Sequence, residues 1–536
     1  MNFDIIINNG MLYDGSGKPG KLANIGIRNG YIEAIDQSLT GDASININAQ
    51  GLAVAPGFID IKTHSDFTLP VNPTADSKVL QGVTTEIIGH CGFSIAPITQ
   101  GKTKLLRDYL IASAPWIDFK ETSFKAYMDN FPNTSINPGM LIGHNTMRLM
   151  AMGMEERAPT GAELGHMTEM LEEGLNAGAL GFSTGLFTTP GSYANSDEIT
   201  SLCKIVKKYN SCYFSHIRDE SNQVLNSVQE AIDIAEKCDI HVQIVHFKAS
   251  GLDNWGKAQK VLEMIQLAKN KGLKIDLDLY PYTAGTNPLR NLLPQWVHAG
   301  GQATMIERIR SDQVRAKIRE DINKNGFTNW GRLPSWDSIQ LVSSSFLSAY
   351  VGKSILAIAN ERGEDPLDTA CDALSADLGA TRVIIFSISE DDVRLLVKSP
   401  IALTGSDGNC IACSGITHYG KPHPRFFGTF PRIIGHYVDE LKLLPLELAI
   451  HKMTGATANA LNLKQMGFLK EGYRADVTIF DPKNFKELAT YQDPFQPPSG
   501  SRTTVINNGQ LVVENARHTG AKPGRILRRS KNGLAN

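Results

Sequence analysis

The chain has 536 residues, 42% of them apolar and 20% charged, and 53 Lys+Arg against 55 Asp+Glu leave a formal charge of −2. This balance is that of a globular protein with a core, and it argues against a disordered chain or a basic nucleic-acid binder. No apolar run approaches the ~18 residues of a membrane span, so no membrane partner is expected either.

In chain order, the first elements are short strands with turn chemistry between them. FDIIINNGMLYDGSG and NIGIRNGYIEAID alternate apolar and polar residues around Asn-Gly pairs, a strong hairpin signal. The start, MNFDIIINNG, carries Asp4 within its apolar stretch and lacks a basic segment, so no secretory leader is expected. From residue 54 onward the pattern changes to apolar runs separated by helical stretches, the mark of βα units around a parallel sheet. Nine candidate strands follow: 54–64, 84–93, 139–145, 179–185, 213–219, 241–247, 274–282, 382–388 and 401–408. A (β/α)8 barrel has places for eight, so at least one belongs elsewhere. Among the helices, the one after Thr160 carries a capping box with Glu163. The stretch 288–341, with its prolines, tryptophans and amphipathic helix, reads as an inserted subdomain over the barrel mouth. The far end returns to strands, ADVTIFD and TTVINNGQLVVE, and closes on the basic run ARHTGAKPGRILRRSK, expected to be a solvated end.

The fold class is therefore α/β: a (β/α)8 TIM-type barrel over 56–469, a small β-sandwich domain built from both termini (1–55 with 470–536), and the insertion at 288–341. Two separate β caps would give the same terminal pattern.

The seven cysteines are odd in number and scattered, which points to free thiols and a cytoplasmic location rather than a disulfide framework. Cys410 and Cys413 form a CxxC without a second pair and read as loop cysteines. No GxGxxG sits between a strand and a helix, and no GxxxxGK[ST] is present, so a nucleotide site is not expected.

Chemistry-bearing residues sit where candidate strands end: His64, Cys91, His144, His216, His246 and Asp407. Zinc accepts imidazole, thiolate and carboxylate, and a catalytic site takes about three protein ligands with one position open. Any one buried histidine is readily a satisfied core residue. Four of the thirteen histidines ending candidate strands, together with a cysteine in GHCG and an aspartate in GSDG, are harder to explain that way.

The segments PGFID (56–60) through SDF (65–67), GVTTEIIGHCGFSIAP (82–97), GALGFSTGL (178–186), SHIRDE (215–220), VHFKASG (245–251), LYPYTAGT (279–286), GSDG (405–408) and HPRFFGTFPR (423–432) resemble the amidohydrolase superfamily, specifically its D-aminoacylase branch. The likeness runs nearly end to end. It implies a zinc-dependent enzyme hydrolysing a small-molecule N-acyl-D-amino acid to a carboxylate and a D-amino acid. One tight zinc is implied on Cys91, His216 and His246, with Asp407 as general base and then acid. His64 and Asp407 are the implied ligands of a second, weaker metal. The family's first strand ends in His-x-His, whereas here the triplet is Lys62-Thr63-His64. An ammonium has no lone pair to ligate a metal. Two readings stand: Lys62 puts its charge where the second metal would sit, or it abolishes or weakens that site and with it activity. Asp407 also has an alternative reading, as a turn residue capping the next helix.

An N-acyl amino acid presents a carboxylate that calls for cationic or hydroxyl donors. Lys248 lies two residues past His246, on the same side of an extended segment, and is one candidate, against a reading as a loop lysine; the resemblance implies Tyr280 and Thr286, which flank the LYPYTAGT turn, near the substrate, with core packing as the other reading of Tyr280. Arg218 and Arg425 read as internal salt-bridge partners before carboxylate clamps, and His144 as either a donor to the reacting oxygen or a core histidine. Side-chain selection falls to the insertion and the loops around Phe187. The other functions the sequence leaves open are opening of a cyclic amide, another acyl chemistry, or a zinc-holding barrel without catalysis.

Overall fold

Eight short parallel strands form the centre of the computed structural model, which describes residues 2–39 and 41–536. They are β1 (Phe58–Asp60), β2 (Val83–Ile88), β3 (Asn137–Gly143), β4 (Gly181–Gly185), β5 (Cys212–His216), β6 (His241–Ile244), β7 (Ile275–Leu279) and β8 (Ala402–Thr404). They pair in chain order, each parallel to the next. The ring closes beyond the formal strand ends. Thr63 bridges Gly408 in parallel, the Asp407 N–H donates to the Lys62 carbonyl at 2.8 Å, and the His64 N–H to the Gly408 carbonyl at 3.0 Å. The seam of the barrel thus runs through Lys62, His64 and Asp407, three of the residues singled out from the sequence.

Helices cover the outside for the reasons legible in their sequences. Helix Gly161–Ala177 starts at the predicted capping box, with the Thr160 hydroxyl accepting from the Glu163 N–H and the Glu163 carboxylate from the Thr160 N–H. Its Met167, Met170, Leu171 and Leu175 recur at three- and four-residue spacing and are buried.

The surplus strand is the eighth candidate. Arg382–Phe386 lies outside the barrel, antiparallel to both Ala284–Pro288 and Ile339–Ser343. An apolar run such as RVIIF serves equally well in a buried parallel strand or in a small sheet packed against helices, so periodicity could not separate the two. This three-stranded sheet shares one hydrophobic cluster, Leu289 to Ile385, with helices Gln302–Ile309, Asp312–Asn325, Ile355–Arg362 and Pro366–Ala376. The inserted unit therefore runs well past residue 341, because its first strand finds its partner only at 382–386.

Both ends of the chain build one nine-stranded sheet, whose seam is Ala53–Pro56 antiparallel to Val477–Phe480. Asn29-Gly30 and Asn508-Gly509 have positive φ at both positions, as two-residue hairpin turns require. Asn9-Gly10 does not turn the chain: Asn2–Leu12 runs straight through it with a bulge. The basic tail also departs from expectation. Arg529 is buried and donates to the carbonyls of Leu180, Leu461 and Gly533, stitching the C-terminal segment onto the barrel. Among the described residues no helix is long and apolar enough to cross a membrane.

Candidate metal centre

His216 is the last residue of β5, His246 follows β6 by two residues, and Cys91 follows β2 by three, so all three arrive at the C-terminal rim of the barrel. The loops turn sharply there. Cys91, His246 and Asp407 have φ of +56°, +37° and +48°. Left-handed backbone at a non-glycine residue costs about 1–3 kcal/mol and persists where the surrounding structure enforces it. Glycine makes the crowding possible: a Cβ on Gly92 would lie 2.0 Å from Asn145 Oδ1.

The Cys91 Sγ lies 3.4 Å from His216 Nδ1 and 3.3 Å from His246 Nε2, and the three ligand atoms all fall within 4.8 Å of one another. Zinc at ordinary bond lengths and tetrahedral angles holds sulfur and nitrogen about 3.5 Å apart, so the spacing and the donor types fit one zinc ion. Burial holds both imidazoles well below their ordinary pKa, with Lys248 adding to the effect at His246, and neutral imidazole is the ligating form. The nitrogens turned away from the centre meet a single carboxylate. Glu220 Oε1 is 3.0 Å from His246 Nδ1, and Glu220 Oε2 is 3.5 Å from His216 Nε2. Glu220 is itself fixed by Lys248 Nζ at 2.5 Å and by the Asn329 amide at 2.9 Å, the latter reaching in from the inserted unit. A carboxylate behind a ligating histidine sets its tautomer and raises its basicity. Glu220 was not singled out from the sequence; its signal was its place in SHIRDE, four residues after His216.

A second corner adjoins this triad. Lys62 is fully buried, with Nζ 2.7 Å from His64 Nε2 and bonded to Asp407 Oδ1. Asp407 Oδ2 accepts from Arg425 Nη2 at 2.7 Å. Burial alone would raise the Asp407 pKa, but Arg425 and Lys62 outweigh it and hold the carboxyl well below the usual range. Burial likewise opposes the charge on Lys62, and Asp407 more than restores it. His64 and Asp407 therefore enclose an ammonium and stand outside the Cys91, His216 and His246 set.

Lys248, Tyr280 and Thr286 all line a cleft of about 860 Å³, open to solvent, which Cys91, His216 and His246 line as well. Lys248 is a buried partner of Glu220 rather than a loop lysine. The Tyr280 ring lies beneath Arg425, whose guanidinium carbon is 4.4 Å from the ring centre. The Thr286 hydroxyl is committed to the Val383 carbonyl at 2.8 Å. Arg425 pairs with Asp407 but keeps Nε and Nη1 buried with no protein acceptor, so two donors remain for a ligand. His144 is in the core, 2.8 Å from Glu198, and Arg218 is paired with Glu230 at 2.9 Å. Cys410 is buried against Asn72 while Cys413 is exposed, and among the described residues only Cys91, His216 and His246 form a metal-sized cluster.

Residues 336–513 match the model of the amidohydrolase family. The chain is 32% identical over 531 residues to the D-aminoacylase of Alcaligenes xylosoxydans xylosoxydans, covering 98% of each protein. A solved D-aminoacylase described by its binuclear metal centre, with one-metal activation and second-metal attenuation, superposes with a TM-score of 0.82 at 30% identity, covering 98% of this chain and 100% of that one. The N-acyl-D-glutamate deacylase of Bordetella bronchiseptica, in complex with zinc and a phosphonate mimic of the tetrahedral intermediate, gives the same TM-score, identity and coverage.

Proposed function

The chain belongs to the D-aminoacylase group of the amidohydrolase family, and on that premise we propose that it is a single-zinc hydrolase of N-acyl-D-amino acids. The observation that carries this reading is one thiol and two neutral imidazoles around a common point, with the Asp407 carboxylate at the adjoining corner. Cys91, His216 and His246 would hold the ion, which when bound supplies Lewis-acid polarisation of a carbonyl and a water activated near neutral pH.

The chain's own groups then divide the work. Asp407 is kept anionic by Lys62 and Arg425, the form required to accept a proton from water. The leaving amine is far more basic than this carboxylate, so passing the proton on to it is downhill. Arg425 through its free Nε and Nη1, together with Lys248 and the Tyr280 hydroxyl, offers donors for the substrate carboxylate, and Thr286 contributes to the wall. The free cysteines favour a reducing compartment, in keeping with cytoplasmic work.

Of the two readings of Lys62, the contacts favour charge replacement. Its ammonium lies between His64 Nε2 and Asp407, so one fixed positive charge neutralises the carboxylate without a second ion. The zinc-loaded protein is expected to release amine from N-acetyl-D-methionine but not from the L-isomer, and a chelator abolishes the release. Turnover of a cyclic amide alone, or none with zinc bound, overturns the deacylase reading. Metal analysis is expected to give one zinc per chain and a greater capacity in Lys62→His; two zinc ions in the parent protein would remove the charge-replacement reading.

A further inference from the structure

Glu220 faces the outward nitrogens of both ligating histidines, and part of what holds Glu220 lies outside the barrel. Its Oε1 is occupied from within the barrel, by Lys248 Nζ at 2.5 Å and His246 Nδ1 at 3.0 Å. Among the described residues, Oε2 accepts from one side chain, the Asn329 amide of the inserted unit at 2.9 Å. The same amide takes a bond in return, its Oδ1 accepting from the Glu220 N–H at 2.8 Å. Oε2 is also the oxygen that faces His216, whose buried Nε2 has no hydrogen-bond partner and stands 3.5 Å away. The oxygen that orients His216 is therefore placed by the inserted unit.

Asn329 is buried and has φ of +64°, a left-handed backbone that asparagine adopts more readily than most residues. It sits in a tight loop, where Phe327 and Gly331 exchange N–H to carbonyl bonds at 2.9 Å in both directions. Phe327, Trp330 and Leu333 belong to the hydrophobic cluster of the inserted unit, which anchors the loop there. On the barrel side, the Leu252 N–H donates to the Arg332 carbonyl at 2.9 Å, and a Cβ on Gly331 would lie 3.1 Å from the Ser250 carbonyl. The loop thus docks on the two segments that follow the ligands, Glu220 after His216, and Ser250 and Leu252 after His246. Trp330, next to Asn329, lines the substrate cleft.

We propose that Asn329 is a positioning residue through which zinc binding and docking of the inserted unit are coupled. Fixing Oε2 holds His216 in its ligating tautomer, and an ion that fixes His216 fixes Oε2 and the amide behind it. Such coupling is reciprocal, so each event strengthens the other by the same factor. The cleft wall that Trp330 supplies is then firm only in the loaded protein, and metal precedes substrate. This rests on the zinc site of the proposed function and not on the acyl substrate.

The test is amide exchange at Leu252, whose bond crosses from the barrel to the inserted unit, together with a zinc competition titration. Saturating zinc is expected to slow Leu252 exchange in the unsubstituted protein by about 10-fold, an ordinary coupling between sites. Asn329→Gly deletes the amide without the strain that alanine would meet on this backbone. That variant binds zinc about 10-fold more weakly, and zinc no longer slows Leu252. In a Glu220→Ala background the same substitution changes zinc affinity by less than about twofold, because its route to the histidines is gone. A merely structural asparagine gives the same loss in both backgrounds, and that result overturns the proposal. So does Leu252 exchange indifferent to zinc, a measurement that needs no substituted protein. Turnover without coupling removes this inference and leaves the deacylase reading, whereas coupling without turnover of any N-acyl-D-amino acid does the reverse.

Discussion

Cysteine and histidine gather at both ends of the barrel, and the two ends use them in opposite ways. At the C-terminal rim, His216 and His246 meet Cys91 with their ligating atoms turned toward one another, and three of the residues there stand on left-handed backbone. At the N-terminal end, Cys212 and His241 stand with Asp276 in place of a second histidine. There His241 Nε2 bonds Asp276 at 3.0 Å, Lys269 Nζ bonds the other oxygen at 2.5 Å, and Arg529 Nη2 approaches Cys212 Sγ at 3.8 Å. Burial works against the charge on His241, yet its bonds to Asp276 and Cys212 raise its pKa to about 9. One end is a set of neutral donors converging on a point, and the other is a closed charge network sealed by the C-terminal segment. Residue types therefore do not make a site; converging lone pairs and an open approach do.

That contrast breaks most sharply on its two cysteines. Cys91→Ala is expected to lose zinc, by metal analysis, and turnover with it; a zinc-replete, active Cys91→Ala would place the metal elsewhere. Asp407→Asn keeps its zinc while kcat falls by ~10²–10⁴-fold, the span of a lost general base. A near-normal rate in that variant removes Asp407 from proton transfer. Stripping the metal sharpens the picture through stability. With free zinc at about a thousand times its Kd, binding adds roughly 4 kcal/mol, read as a higher melting temperature than that of the stripped protein. Glu220→Gln weakens zinc binding by ~10–100-fold in a competition titration, because the outward imidazole nitrogens lose the anion that orients them. The smallest effect belongs to the sealed end. Cys212→Ala lowers stability by about 1–2 kcal/mol in urea unfolding and leaves zinc content unchanged. A loss of zinc there would show that the two ends are not independent.

Much of this was legible in the order of residues. Strands that end in His64, Cys91, His216, His246 and Asp407 could be read because alternation and turn chemistry are local, and the capping box at Thr160 and Glu163 is local for the same reason. The Asn-Gly signal succeeded at residues 29–30 and 508–509 and failed at 9–10, where the long strand takes a bulge and, on its other edge, passes from one parallel partner to the next. The run at 382–386 has the composition of a barrel strand, and only its antiparallel neighbours excluded it. Glu220 and Asn329 were missed because their role is a bond across 109 residues, which no spacing rule registers.

The sequence by itself determined the family, the barrel with its shared terminal sheet, and the ligand types available at the rim. These follow from local periodicity and from motifs read along the chain. Only the tertiary structure decided that Lys62 faces Asp407 across 345 residues and that His64 turns to that ammonium rather than to the triad. The reason is physical. A side chain's charge and lone pairs are fixed by its identity, whereas what neutralises or orphans them depends on which distant segments the packed core brings within a few ångströms.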